Sequence, residues 1–248
     1  MAKLQFGQSF CQIEGAYVPV ADFKLAQGDG VYFAHHQLLW KDPGIQVARM
    51  PLGGVWKRWL AGMPLVILEA HGPGRLAFSR DKPGELIALP MSHGQSVDVA
   101  EHVFMVATSQ VSYQWVNSGI WFDIREDKSY KRHYPLGMYL DRFTARSAPG
   151  LLLLHGGGNV FVRRLEPKQT VLVKPTALLF KDPTVTMNMD IEHPGGAWRQ
   201  RKTNWTQRSL WLRLHGPGRV AVQSHYERWE DPDEPVARME PGARVVDW

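Results

Sequence analysis

The chain has 248 residues, and 44% of them are apolar, which excludes an intrinsically disordered protein and fits one large or several small domains. Its formal charge of +5 is mildly basic, and its single cysteine, Cys11, excludes an internal disulfide and favours a reducing compartment. No apolar run approaches the roughly 20 residues of a membrane-spanning helix, and residues 1–7 lack the apolar core of a signal peptide. We therefore expect a soluble, cytoplasmic protein.

A block of 28 residues occurs three times without internal gaps, at residues 23–50, 89–116 and 163–190. Valines coincide in the first strand of each copy, namely Val31, Val97 and Val171. In every copy a polar loop precedes an alternating strand, a short apolar strand, a turn and a second alternating strand. This period of two, with turn residues roughly every 8–12 positions, predicts an all-β chain of sandwich or barrel type.

A glycine-rich turn follows each block. The sequence HGPGR occurs at residues 71–75 and again at 215–219, and HGGGN occupies residues 155–159. Glycine supplies the positive φ that a tight turn needs, and proline fixes its own φ in advance. Because apolar runs flank each turn, we predict three copies of one hairpin. The three histidines that begin these turns would then be equivalent: His71, His155 and His215.

The repeat predicts three tandem β units, arranged side by side: residues 1–88, 89–162 and 163–248. The middle unit carries a long aromatic and charged insertion at residues 117–150, where the other two units have short segments. Variable length at one position of a repeat is typical of a surface loop or an interface hairpin.

Catalytic motifs find little support in the sequence. HGGG at residues 155–158 imitates the oxyanion loop of lipases, but the chain lacks the Gly-x-Ser-x-Gly nucleophile elbow. The three repeat histidines could converge on one metal ion about a threefold axis, but the simpler interpretation is that each bonds the backbone beside its turn. Asp42 and Asp182, in Lys-Asp-Pro sequences, are predicted to be turn residues rather than an acid pair. We expect no catalytic residue, cofactor or metal.

Basic residues beside tryptophan are the most suggestive binding candidates. They are Trp56, Lys57 and Arg58 in the first unit and Trp198, Arg199, Arg201 and Lys202 in the third. Such residues suit a subunit seam in which arginine stacks on tryptophan. They also suit single-stranded nucleic acid or an anionic membrane surface. The sequence leaves these three alternatives open.

Together these features resemble the mitochondrial-biogenesis ("altered inheritance of mitochondria") family, in its bacterial branch. The resemblance covers nearly the whole chain and rests on the threefold repeat, the sequences GPGRLAFS and GPGRVAVQS, and the Gly-Gly-x-Trp segments at residues 53–56 and 195–198. It implies a fold similar to that of the tryptophan RNA-binding attenuation protein, in which short double-stranded β-helix units assemble into rings. Three chains of three units would then make a nine-unit ring, a homotrimer. The resemblance carries no catalytic motif.

We therefore expect a non-enzymatic structural or interaction protein that forms a ring-like homo-oligomer and contacts a protein partner. The alternative is a nucleic-acid or small-ligand binder that uses the basic-aromatic loops. A third alternative is a metal-dependent enzyme with histidines at the mouth of a β-barrel.

Overall fold

The structure is a computed structural model that describes residues 3–50, 67–126, 129–192, 209–226 and 239–240. Regular structure in these residues is β, apart from two single-turn 3-10 helices at His35–Gln37 and Pro175–Ala177. The expected all-β class is confirmed. The described part of the chain holds no helix able to span a bilayer.

Contacts group the chain into two compact units: Met1–Ser96, Val103–Tyr113 and Phe143–Asn159 in the first, and Val97–His102, Gln114–Arg142 and Val160–Trp248 in the second. The strands in chain order are β1 (Lys3–Phe6), β2 (Ser9–Glu14), β3 (Val20–Leu25), β4 (Gly30–Ala34), β5 (Leu38–Lys41), β6 (Val47–Arg49), β7 (Ile67–His71), β8 (Gly74–Ser79), β9 (Gly84–Met91), β10 (Ser96–Val99), β11 (Phe104–Thr108), β12 (Val111–Asn117), β13 (Phe122–Glu126), β14 (Ser129–His133), β15 (Tyr139–Ala145), β16 (Gly150–Gly157), β17 (Val160–Leu165), β18 (Thr170–Val173), β19 (Leu178–Lys181), β20 (Thr186–Glu192), β21 (Ser209–His215), β22 (Gly218–Gln223) and β23 (Met239–Glu240).

The first unit buries one core between two antiparallel sheets. Sheet A has the strand order β1-β2-β3-β8-β5, and sheet B has the order β6-β7-β4-β11-β16-β9. Alternation along β3 and β8 points Phe23 and Phe78 inward, where both are fully buried. The ring of Phe78 packs against Phe33 of β4 and against Phe23, with centroids 4.7 and 5.5 Å apart. Cys11 lies in the same core, and burial raises the pKa of its thiol to about 12.

The second unit contains three sheets. Sheet C has the order β12-β15-β10-β19-β22-β17, sheet D the order β14-β13-β23, and sheet E the order β18-β21-β20. Fully or almost fully buried apolar residues of this unit include Leu165, Phe180, Leu212, Leu214 and Val220.

One pattern of strand pairing occurs three times in these sheets. The groups β3-β8-β5, β9-β16-β11 and β17-β22-β19 have the same internal order, and so do β4-β7-β6, β10-β15-β12 and β18-β21-β20. The register is also the same, because Leu25 lies opposite Gly74, Met91 opposite Gly150 and Leu165 opposite Gly218. The aligned blocks of the sequence therefore occupy equivalent positions, while the division into units at residues 88 and 162 stays a prediction.

The strands beside the HGPGR turns do not form hairpins, so that prediction is wrong. Strand β7 pairs with β4 and β6 in sheet B, whereas β8 pairs with β3 and β5 in sheet A. The third copy behaves in the same way, with β21 in sheet E and β22 in sheet C. Each turn is a corner that takes the chain from one sheet to another.

HGGGN is not a third copy of the HGPGR turns, so that part of the prediction is also wrong. His155 and Gly156 lie inside β16, opposite Leu86 and Glu85 of β9. The middle corner comes earlier, between β15 and β16, and ends at Gly150, the counterpart of Gly74 and Gly218. The four leucines before HGGG resemble the apolar run that precedes each HGPGR turn, but they belong to the strand that follows the middle corner.

The aspartate of a Lys-Asp-Pro turn stabilises each HGPGR corner by accepting a backbone hydrogen bond. The Asp42 carboxylate accepts a hydrogen bond from the backbone N–H of Arg75 at 2.7 Å, and Asp182 accepts one from Arg219 at 2.8 Å. These aspartates are turn residues, as the sequence indicated, although their partners are distant in sequence. Gly74 completes the corner at a φ of +149°, where an added Cβ would lie 2.8 Å from the side chain of Ile45.

We expect Gly74→Ala to lower the free energy of unfolding by about 2 kcal/mol, because the new methyl group is both strained and crowded. Urea unfolding followed by far-ultraviolet circular dichroism measures this change. The matched control is Gly44→Ala, where a Cβ meets no atom within 4 Å. Equal stability of the two variants would contradict the proposed strain at the corner.

Candidate functional site at two open sheet edges

The repeat histidines do not form an equivalent set. Each corner is preceded by an equivalent backbone hydrogen bond. The N–H groups of Gly72, Ala145 and Gly216 donate to the carbonyl groups of Asp29, Gln95 and Gln169, respectively, each of which lies in the loop before the paired strand. Thr144 therefore occupies the position of His71 and His215. Among the described residues no group of three or more histidines, cysteines, aspartates and glutamates is placed to hold a metal ion.

The histidines bond locally or are buried. Nδ1 of His215 lies 2.8 Å from the hydroxyl of Thr170, and the Thr144 hydroxyl lies 2.8 Å from that of Ser96. His155 is buried in β16, where desolvation and, to a smaller extent, the charge of Arg80 lower the pKa of its imidazole. His215 therefore has a local partner, whereas Nε2 of His155 is buried and makes no hydrogen bond within the described residues.

The seven basic-aromatic candidates lie outside the described residues: Trp56, Lys57, Arg58, Trp198, Arg199, Arg201 and Lys202. The insertion supplies one described example of arginine stacked on tryptophan. The guanidinium of Arg132 lies 3.6 Å from the centroid of the Trp121 ring and donates two hydrogen bonds to Asp123.

A junction between repeated strand groups is visible in sheet B, where β4 of the first group pairs with β11 of the second. Phe33 lies opposite Val106, and Tyr32 lies opposite Ala107. Met105 and Val106 of β11 are completely buried. The pairing gives backbone partners to β11 and covers its apolar side chains.

Sheet C contains a junction of the same kind, between β10 and β19. Val99 lies opposite Phe180, and Asp98 lies opposite Lys181, which is the register of the sheet B junction at equivalent positions. Leu179 and Phe180 of β19 are completely buried.

A buried ion cluster stabilises the sheet C junction. The Asp98 carboxylate, 2% exposed, accepts hydrogen bonds from Nε of Arg142 at 2.5 Å and from Nζ of Lys181 at 2.9 Å. Burial opposes ionisation of Asp98, but the hydrogen bonds and charges of Arg142 and Lys181 outweigh it and hold the pKa of the carboxyl below its ordinary value.

A third pair of strands is equivalent to the strands at these two junctions, but each of them has one side without a partner strand in the described structure. Strand β5, the counterpart of β11 and β19, is the last strand of sheet A, and β18, the counterpart of β4 and β10, is the first of sheet E. Leu39 and Trp40 of β5 are 57% and 41% exposed, although both counterparts of each are fully buried. Leu172 of β18 is 40% exposed, whereas Tyr32 and Asp98 are buried. We call β5 and β18 the open edges.

The sequence matches the model of the mitochondrial biogenesis AIM24 family over residues 11–225, and the chain belongs to this family. It is also similar to the crystal structure of protein SPYM3_0169 from Streptococcus pyogenes, with a TM-score of 0.63 and 16% sequence identity. That match covers 88% of this chain and 94% of the other, and it shows a shared fold. A comparison with curated proteins finds no match.

We expect Asp98→Asn to lower the free energy of unfolding by about 3 kcal/mol at pH 7, because it leaves two cations without their buried counter-charge. The folded-state pKa of Asp98 is lowered, so its contribution is complete above the unfolded pKa near 3.8 and is lost as the pH falls below it. The difference between variant and parent should therefore shrink below about pH 4.

Urea unfolding at pH 7 and at pH 3 measures both effects. The control is Asp22→Asn, since Asp22 pairs with an Arg75 side chain that is 53% exposed and should change stability by less than about 1 kcal/mol. Equal losses in the two variants at pH 7 would show that burial of the cluster contributes nothing.

Proposed function

We propose that this protein is a non-enzymatic structural or interaction protein whose copies join head to tail through the open edges. Strand β18 of one copy pairs with β5 of the next, as β4 pairs with β11 and β10 with β19 inside the chain. The exposure of Leu39 and Trp40, whose counterparts are all buried, carries this proposal. Unpaired edges with exposed apolar side chains are prone to pair with another chain.

The internal junctions specify the register of the contact. At each internal junction the counterpart of Lys41 lies opposite the counterpart of Leu172. The counterpart of Trp40 likewise lies opposite the counterpart of Val173. Sheet A of one copy and sheet E of another would then form one continuous sheet. The contact would cover Leu39 and Trp40 and would give backbone partners to both edges.

A contact between two different edges is heterologous, and it closes into a ring or continues as a filament. The family resemblance favours closure after three chains, which gives a homotrimer and a nine-unit ring. In such a ring the basic-aromatic segments at residues 56–58 and 198–202 would recur three times, so a weak contact with a protein partner would gain from multivalency.

Charged substitutions at the open edges test the assembly. We expect Trp40→Lys and Leu172→Lys each to reduce the mass measured by light scattering from three chains toward the 28.2 kDa of one, because a desolvated lysine would oppose the apolar contact. Val162→Lys is the matched control, because Val162 is 53% exposed on β17, the last strand of sheet C, which takes no part in the proposed contact.

Mixing the two variants distinguishes a head-to-tail contact from any other. Trp40→Lys keeps an intact β18, and Leu172→Lys keeps an intact β5, so an equimolar mixture should form a dimer and nothing larger. A parent protein that stays monomeric at every workable concentration, or a mixture that stays monomeric, would refute the proposed assembly.

A further inference from the structure

The second unit has an open pocket between its sheets C and E, with a volume of about 390 Å³. Its apolar walls come from four strands: Phe161 on β17, Val222 on β22, Val171 and Val173 on β18, and Trp211 on β21. Phe161 is 58% exposed although alternation places it on the same face of β17 as the buried Leu165. A volume of this size lies within the range of about 300–1,000 Å³ typical of small-molecule sites.

The equivalent space in the first unit is filled by aromatic rings. Phe23 of the first unit and Arg163 of the second occupy equivalent positions. Phe23 lies opposite Leu76, the third residue of β8, and Arg163 lies opposite Val220, the third residue of β22. The same comparison relates Phe33 to Val173 and Phe78 to Val222. The packed rings of Phe23, Phe33 and Phe78 close the first unit, and their three replacements line the pocket of the second.

The charge of the pocket is positive. Arg163 and Lys174 both line it, and no aspartate or glutamate does so among the described residues. The side chain of Arg163 makes no hydrogen bond or ion pair within the part of the chain that the structure describes. Nζ of Lys174 lies 4.4 Å from the centroid of the Trp211 ring, so this cation stands beside an apolar wall.

We propose that this pocket binds a single-chain amphipathic anion, such as a medium-chain carboxylate. The apolar chain occupies the space between Val173, Val222 and Trp211, where it removes apolar surface from water. The carboxylate accepts hydrogen bonds from Arg163, whose planar guanidinium suits a carboxylate, with Lys174 as a second cation. The site lies within one chain and goes beyond the proposed assembly, but the two share Val173, which would lie opposite Trp40 of the next copy in the proposed contact.

Calorimetric titration with decanoate, below its micellar concentration, tests the site in the full-length protein. We expect saturable binding of one decanoate per chain, and Arg163→Gln should weaken it about tenfold, the value of one charge-assisted hydrogen bond. The matched control is Arg164→Gln, because Arg164 is the next residue of β17 and faces the opposite side of the sheet. Nonyltrimethylammonium, with the same alkyl chain and the opposite charge, should not bind.

A second variant fills the pocket with the residues found in the first unit. Val173→Phe combined with Val222→Phe restores two of the three rings, so it should abolish decanoate binding without lowering the melting temperature. Light scattering on the same samples separates this effect from any change in assembly.

The proposal would be overturned if the parent protein showed no saturable binding, if the filled variant bound decanoate equally, or if Arg163→Gln and Arg164→Gln weakened binding equally. Binding to anionic lipid vesicles without binding to free decanoate would also overturn it, because the occupant would then be a membrane surface.

Discussion

Backbone hydrogen bonding across strand edges decides how this chain can be built, because a buried N–H or C=O group without a partner costs about as much free energy as a lost hydrogen bond. Each group of three strands would expose two edges if it stood alone. The chain pairs one edge of four of these groups by joining β4 to β11 and β10 to β19. The remaining pair, β5 and β18, is the origin of the proposed contact between copies. The architecture thus follows from one requirement, repeated along the chain, and the proposed assembly rests on the same requirement.

Side chains at the junctions vary while the backbone register does not. Tyr32 lies opposite Ala107 at one junction and Asp98 opposite Lys181 at the other. A buried ion cluster is weak support for stability compared with an apolar contact of the same volume, and its removal is costly mainly because the partners remain charged. The cluster around Asp98 belongs to the sheet C junction alone, because Tyr32 and Ala107 occupy the positions of Asp98 and Lys181 in the sheet B junction. At the open edge, Lys41 occupies the position of Lys181, and its Nζ donates a hydrogen bond to the carbonyl oxygen of Ile45 at 2.8 Å.

Much of the fold could be predicted from the sequence, because apolar side chains recur at alternate positions of the strands in all three copies of the repeat. The positions of Val31, Val97 and Val171 are examples. The corners could not be predicted as corners, since a strand, a turn and a strand look alike whether the strands pair with each other or with partners some fifty residues away. The open edges were equally hidden, because Leu39 and Trp40 resemble core residues. The pocket results from the absence of phenylalanine at three positions of the second unit. One of these, the position of Phe78, lies outside the ungapped block, so no local motif in the sequence indicates the pocket.

The corner turns have a consequence for the order of events in folding. Because β7 and β8 do not pair, the fastest element of most β proteins, a local hairpin that forms in about 1–10 μs, is missing at the most regular turns of the chain. Local pairing is left to other places, such as the β1–β2 and β2–β3 hairpins, where we expect folding to begin. Strand pairing around each corner must then bring together distant segments such as β3 and β8, and loop closure over that distance precedes any gain from packing. The topology therefore favours slow completion of the sheets after the local hairpins have formed.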